Sequence, residues 1–487
     1  MSLFARIKDW IMSKFDTHKL ETAFGVKIAT DMDMQALVES WLAIYQGRPA
    51  WVGDANEQVL QTLNVASTMC SDLACKVVSE LDVTDSTSNE MFSQFVQDEL
   101  LQQIRTEVEY AIASGAFICR PYYDSELGRI TLSWYTADRF VPVDWSGKRC
   151  VSGIFIDQDV VTANYTKTYY TKLELQKWNY GKDGNGGSVD IKVKLYRSNS
   201  ETELGTEIPL TDYAKWSTIT PMAHVEDCPA PLFVYAGMPF ANNKALNSHA
   251  GVSIYKDGVA QLEQIDRAWD NLNWELQASQ KKVFVDEQMM ETTRTSNGEI
   301  IPRLDSKEKR LYKVMDAQGS VSKFMEEYSP AIRQADITAT LKTNLSLLCS
   351  ACGLDSGAYV YDEQAQAVTA TEIRTKNQKT YQKICDIQKW TVMPAIEAIV
   401  DAVRSLQQLY SIPSFPALEL NITFGDSILI DADSDKQNAQ RETQLGLRSK
   451  LSYLMEYRGL SEEDAKKELA TITDETPEQV DFFGGND

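Results

Sequence analysis

Residues with the chemistry for catalysis or metal binding are few in this chain of 487 residues and fall in no strong pattern. Its three histidines, His18, His224 and His249, form no H-E-x-x-H pair and stand beside no cysteine at metal-ligand spacing. Eight cysteines, at 70, 75, 119, 150, 228, 349, 352 and 385, show no framework spacing, which points to a reduced setting. Cys349-Ser-Ala-Cys352 has the C-x-x-C form of a redox pair. It lies within an apolar helical pattern, not at a strand-to-helix turn, so a buried structural pair is expected. Asp431, Asp433 and Asp435 with Glu442 have part of a calcium-loop pattern, but Lys436 occupies the position that needs glycine. Carboxylates there suit the start of a helix. Asp31-Met-Asp33 after Thr30 reads as a helix cap. The stretch Gly181 to Gly187 joins two strands and lacks a phosphate-loop pattern; no G-x-G-x-x-G or G-x-S-x-G appears either. These residues call for no cofactor, no metal and no enzyme. An active site assembled only by folding is the alternative that spacing leaves open.

Composition sets the remaining bounds. Hydrophobic residues at 43% and charged residues at 24% suit a soluble globular protein, and the length suits more than one domain. The formal charge of −22 argues against a broad basic face that grips nucleic acid. No run of 18 apolar residues appears, so no membrane span is expected. Leu3, Phe4, Ile7, Trp10, Ile11 and Phe15 make an amphipathic N-terminal helix, expected to pack on the body or on a neighbouring subunit.

Helical periodicity marks Met34 to Tyr45, Glu57 to Leu81 and Asn89 to Ser114, with Gly115 as a stop. From Ala116 the period becomes two. Phe117 to Tyr123, Arg129 to Tyr135 and Val151 to Ile156 read as strands, and Tyr169 to Trp178 with Ser188 to Tyr196 as a hairpin. A helix opening at Gly251 to Tyr255 runs to about Gln280, and another runs from Tyr328 to Cys352. Between them lies a charged, β-rich insert of short strands, so two helices carry a small tip. The segment 353–368 has acids and no base. It leads into a long helix, Thr369 to Tyr410, whose first part carries Lys376, Lys379 and Lys383. Its second part has an apolar stripe through Ile384, Ile387, Thr391, Ile396, Ile399, Val400, Val403, Leu406 and Tyr410. Pro394 is expected to bend it. Leu418 to Thr423 reads as a strand, 436–472 as helices, and the tail after Thr476 as disordered.

Several short segments, in this order, resemble the portal (head–tail connector) proteins of tailed double-stranded DNA bacteriophages, in particular the long-tailed type. They are Trp41 to Gly47, Ala113 to Phe117, Asp138 to Pro142, Met238 to Asn243, Gly251 to Tyr255 and Thr369 to Ile373, with the helix–insert–helix unit between the last two. The resemblance implies an α+β, portal-like fold. Its parts would be an α/β wing (1–255), stem helices (256–280 and 328–352), a β-rich clip (281–327) and a tunnel loop (353–368). A long kinked spine helix with a returning wing strand (369–433), a helical crown (434–472) and a flexible tail (473–487) would complete it. It implies a homo-oligomeric ring of about twelve subunits in the virion, at the capsid portal vertex, assembled in the host cytoplasm. Its implied partners are the terminase packaging motor, head-completion and neck proteins, major capsid and scaffolding proteins, and double-stranded DNA passing through the channel, with no membrane. On the same ground Ser356, Tyr359, Tyr361, Gln364, Gln366, Lys376, Lys379 and Lys383 are candidates to face DNA. Arg294, Asn297, Arg303, Lys307 and Lys309 are candidates to face partners at the clip. The competing readings are another minor head or neck structural protein and an acidic soluble enzyme.

Overall fold

A computed structural model describes residues 17–28, 32–52, 60–86, 89–181, 187–286, 292–294, 300–302, 312–315, 325–356, 359, 378–416, 419–425, 439–443, 445, 448–458 and 462–475. The N-terminal segment up to 16, the acidic stretch 431–435, the polar helix start 369–377 and the tail lie outside these residues.

Up to residue 237 the described residues form the strands β1 (Leu81–Asp85), β2 (Ala116–Asp124), β3 (Arg129–Thr136), β4 (Phe140–Ser146), β5 (Arg149–Ala163), β6 (Thr166–Tyr180), β7 (Gly187–Ser198), β8 (Thr206–Ile208), β9 (Met222–Val225) and β10 (Val234–Gly237). One sheet has the order β10-β2-β3; a larger one runs β4-β5-β6-β7-β8, with β9 also on β7. The expected hairpin is present: β6 and β7 pair antiparallel from Tyr169↔Ser198 to Tyr180↔Gly187. Alternation in β7 puts Val189, Val193 and Leu195 inside and Lys192 out, as a half-covered sheet requires. Helix Thr17–Phe24 covers one face of the large sheet, with Leu20 and Phe24 packed on Ile154, Leu173 and Leu175.

The opposite face of the large sheet meets the small sheet through buried charge. Arg120 Nη1 lies 2.6 Å from Glu174 Oε2, Lys172 Nζ lies 2.9 Å from Asp157 Oδ2, and Gln176 Nε2 donates to Glu174 Oε1 at 2.8 Å. Burial pushes the Glu174 carboxyl up, but Arg120, Lys172 and Gln176 outweigh it and hold it below the usual carboxylate range. Periodicity reveals no such network, because each member sits at an ordinary strand position.

The helices differ from their expected bounds for local reasons. The second begins at Val65, since Asn64 adopts left-handed backbone (φ 51). It ends at Val78, and Leu81 opens β1, which pairs antiparallel with β16 (Leu420–Phe424) far along the chain, Leu81↔Phe424. Gly251 to Tyr255 is a buried turn, not a helix start. A Cβ at Gly251 would stand 2.0 Å from the Gly115 carbonyl oxygen, so the two backbones meet where side chains have no room. Tyr255 is wholly buried, and its hydroxyl donates to the Trp41 carbonyl at 2.8 Å.

The long C-terminal helix runs through Gln378–Ile387, a π-helical turn Gln388–Val392 and Met393–Leu409. Pro394 has no N–H for the carbonyl four residues back. The π turn meets that loss: the Met393 N–H reaches the Gln388 carbonyl, five residues back. Ile384, Ile387, Thr391, Ile396, Ile399, Val400, Val403 and Leu406 are all buried, as the stripe predicts. Gln388 Nε2 donates to the Val77 carbonyl (2.9 Å) and Thr391 Oγ1 to the Gly237 carbonyl (2.8 Å), which ties the turn to the body.

Candidate functional site

Two long helices leave the body, Val259–Ala278 and Gln334–Ala351. They run antiparallel. At the near end a Cβ on Gly258 would stand 2.6 Å from Leu348 Cδ1; at the far end Arg333 Nε donates to Glu275 Oε1 at 2.9 Å. The near half is core. Leu262, Ile265, Leu348 and Cys349 are buried, and buried Asp266 accepts from Trp51 Nε1 (2.8 Å) and the Leu63 amide (2.9 Å). The far half is not: Trp274, Leu276 and Ile332 are exposed. Beyond it lie β11 (Lys282–Asp286), β12 (Thr292–Arg294), β13 (Ile300–Pro302), β14 (Tyr312–Met315) and β15 (Met325–Tyr328). Strands β14-β11-β15 form one sheet and β12-β13 a hairpin. Arg294 ends β12; Asn297, Arg303, Lys307 and Lys309 lie outside the described residues.

The second helix ends in a six-residue turn. Leu354 N–H bonds the Cys349 carbonyl (2.8 Å) and Gly353 N–H the Ser350 carbonyl (3.1 Å), with Gly353 at φ +70. This is the Schellman arrangement, in which glycine takes left-handed backbone without strain. Asp355 follows, and it closes the start of another helix. Its Oδ2 accepts from the Thr380 amide (3.0 Å) and the Thr380 hydroxyl (2.9 Å), while its own N–H donates to Thr380 Oγ1 (3.1 Å). So the two ends of segment 356–379 are held at one point.

The DNA-facing candidates divide here. Ser356 and Lys379 are exposed. Tyr359 is half-buried against the core, and its hydroxyl donates to Asp72 Oδ2 at 2.8 Å; Lys76 Nζ bonds the same oxygen at 2.8 Å. Burial, with Asp72 beside it, pushes the Tyr359 phenol far above its ordinary range, so it stays a donor. Lys383 is half-buried, its ammonium 4.5 Å from the centre of the Phe240 ring; burial lowers its pKa. Both side chains are thus engaged within the chain. Tyr361, Gln364, Gln366 and Lys376 lie outside the described residues. Thr380 and Asp72 went unnoticed in the sequence, where nothing marks a threonine within a helix or an acid four residues before a lysine as anchors.

Among the described residues no three His, Cys, Asp or Glu side chains are placed to hold a metal, and no helix is long and apolar enough to cross a membrane. Cys349 and Cys352 are buried and free, their thiols pushed up by burial.

A family model described as "Phage portal protein, SPP1 Gp6-like" matches residues 56–480. No curated protein matches the chain. Among solved structures, a chain from the virion of a native gene transfer agent particle is similar at 11% identity and a TM-score of 0.41, covering 91% of this chain and 98% of that one. A chain from the neck of an empty gene transfer agent particle computed with C6 symmetry gives 10% identity and 0.39, over 87% and 92%. One from the neck of the native particle computed with C12 symmetry gives 10% and 0.35, over 83% and 89%. The assignment rests on the family match, not on these likenesses. This chain belongs to the family of phage portal proteins of the SPP1 Gp6-like type.

Proposed function

We propose that the chain is a portal subunit that forms a ring-shaped channel at the capsid vertex, through which DNA is packaged, retained and ejected. The observation that carries this is the antiparallel helix pair with a β module at its far end, in a chain that the family matches over 56–480. In this reading the helix pair is the stem and 281–327 the clip, which docks the packaging motor and later the neck proteins. Segment 353–368 is the tunnel loop, the body up to 255 the wing and 434–472 the crown. About twelve copies close the ring by heterologous contacts, one patch on a different patch of the next copy. The exposed far half of the helix pair supports such contacts. Twelve copies of −22 give a formal charge of roughly −264, which disfavours holding phosphate and suits a conduit. Arg294 and the basic residues near it would serve the clip's partners.

The test is replacement of 360–365 by a Gly-Ser linker, which spares Ser356 and Tyr359. Rings of unchanged mass that no longer package or retain DNA are expected. A variant that fails to fold would make the segment structural core and refute its role as a channel loop.

A further inference from the structure

The base of segment 356–379 is closed by two helix ends that complete one another. At the C-terminus of Gln334–Ala351 the last carbonyls carry partial negative charge, and the Lys383 ammonium lies against the Gly353 turn; a Cβ at Gly353 would stand 3.1 Å from Lys383 Nζ. At the N-terminus of Gln378–Ile387 the first amides carry partial positive charge, and the Asp355 carboxylate accepts from the Thr380 amide and hydroxyl. Each helix therefore supplies the charge that the other's end requires. The exchange takes place between residues only two apart on one side, Gly353 and Asp355, and three apart on the other, Thr380 and Lys383. Gly353 suits the position twice over, by its left-handed backbone and by the room it leaves for the lysine.

We infer that Asp355, Thr380 and Lys383 are positioning residues that lock the helix pair to the spine helix and so fix where the intervening segment stands. The inference deepens the portal reading, on which its functional consequence rests. The clamp itself is a property of the fold. Tyr359 adds a separate tie to Asp72 on helix Val65–Val78, the same helix whose Val77 carbonyl holds the π turn. Loss of the clamp should therefore open the base of the segment without unfolding the body.

Hydrogen exchange on the full chain tests this. Asp355→Ala and Thr380→Val should each speed exchange at the amides of Leu354, Asp355 and Thr380 about tenfold, the size expected of a lost cap. The double variant should be no faster than either single one. Lys383→Met should loosen the Gly353 and Leu354 amides, and Lys383→Arg should restore them. Amides of β5 and β6 should keep their protection. Exchange unchanged in Asp355→Ala, effects that multiply in the double variant, or a rise spread equally over β5 and β6 would overturn the clamp. DNA retention by filled heads separates the two claims. Faster exchange with DNA still held keeps the clamp and sinks the loop's channel role. DNA lost on replacement of 360–365, with exchange unmoved by Asp355→Ala, keeps that role and sinks the clamp.

Discussion

The near and far halves of the helix pair share one secondary structure and one chain, yet they solve burial differently. Near the body, Leu262, Ile265, Leu348 and Cys349 vanish into the main core, and even a carboxylate, Asp266, is enclosed with its donors supplied by Trp51 and Leu63. Far from the body, Trp274 is 58% exposed and Ile332 42%, and a surface ion pair, Arg333–Glu275, joins the two helices. A surface pair of that kind contributes little. The near half is mostly enclosed within one subunit, although Leu347 is 50% exposed. The far half has apolar side chains in water, and exposed apolar area of this sort marks an interaction surface. The body folds for itself; in the proposed ring the projecting end would pack on neighbouring copies.

Four measurements would break or sharpen that contrast, and the body should give the largest effect. Glu174→Ala strands Arg120 in the interior and should cost about 3–5 kcal/mol in urea unfolding of the isolated chain. The acid limb agrees in sign. Glu174 titrates lower when folded than when unfolded, so its stabilisation is full above the ordinary glutamate value and fades as pH falls through the folded one. Urea midpoints for this variant and the parent should therefore converge toward low pH.

Glu107 tests the body with the opposite sign. Burial raises its carboxyl to about 7. Folding is unpenalised below the unfolded value and increasingly penalised as pH rises to about 7. Glu107→Gln should stabilise the chain at pH 8 by up to about 3 kcal/mol and leave it unchanged near pH 4. Equal effects at both pH values would show that the carboxylate never loses its water. Tyr359→Phe removes one bond to a charged acceptor at the edge of the body. Its expected cost is about 1–2 kcal/mol, read by thermal or urea unfolding.

The far half should give the smallest effect on the subunit and the clearest one on assembly. Trp274→Ser and Ile332→Ser should change subunit stability by no more than about 0.5 kcal/mol. Each should shift sedimentation from rings toward monomers. A large loss of subunit stability would mean that these side chains already have their partners, and the contrast between the halves would fall.

What was legible in the sequence follows the reach of each signal. The apolar stripe of the spine helix is a local period, and its positions from Ile384 to Leu406 are buried as read; Tyr410 departs from it, half exposed and stacked on Tyr123 at 4.5 Å. The β6–β7 hairpin is adjacent pairing and was read nearly to its ends. Strand β1 was missed: its first residue, Leu81, was read as the end of a helix because it continues the spacing of Val77, and the strand's partner lies beyond residue 419. The long β5–β6 arm was undercounted because its turn, Asn164-Tyr165 with φ 49 and 63, lacks the glycine that usually announces such a turn. At the candidate site the helix–insert–helix order was plain. The Asp355–Thr380 closure was not, since a bond across 25 residues leaves no periodic trace.

The most direct test of the portal assignment at the level of architecture is the native mass of the purified full chain, with negative-stain images of the same sample, alone and with capsid and scaffolding proteins present. A single species near twelve copies with a central hole, in either condition, is the predicted result. A chain that stays monomeric in both would contradict the ring, and with it the reading of the exposed far half as a surface for neighbouring copies.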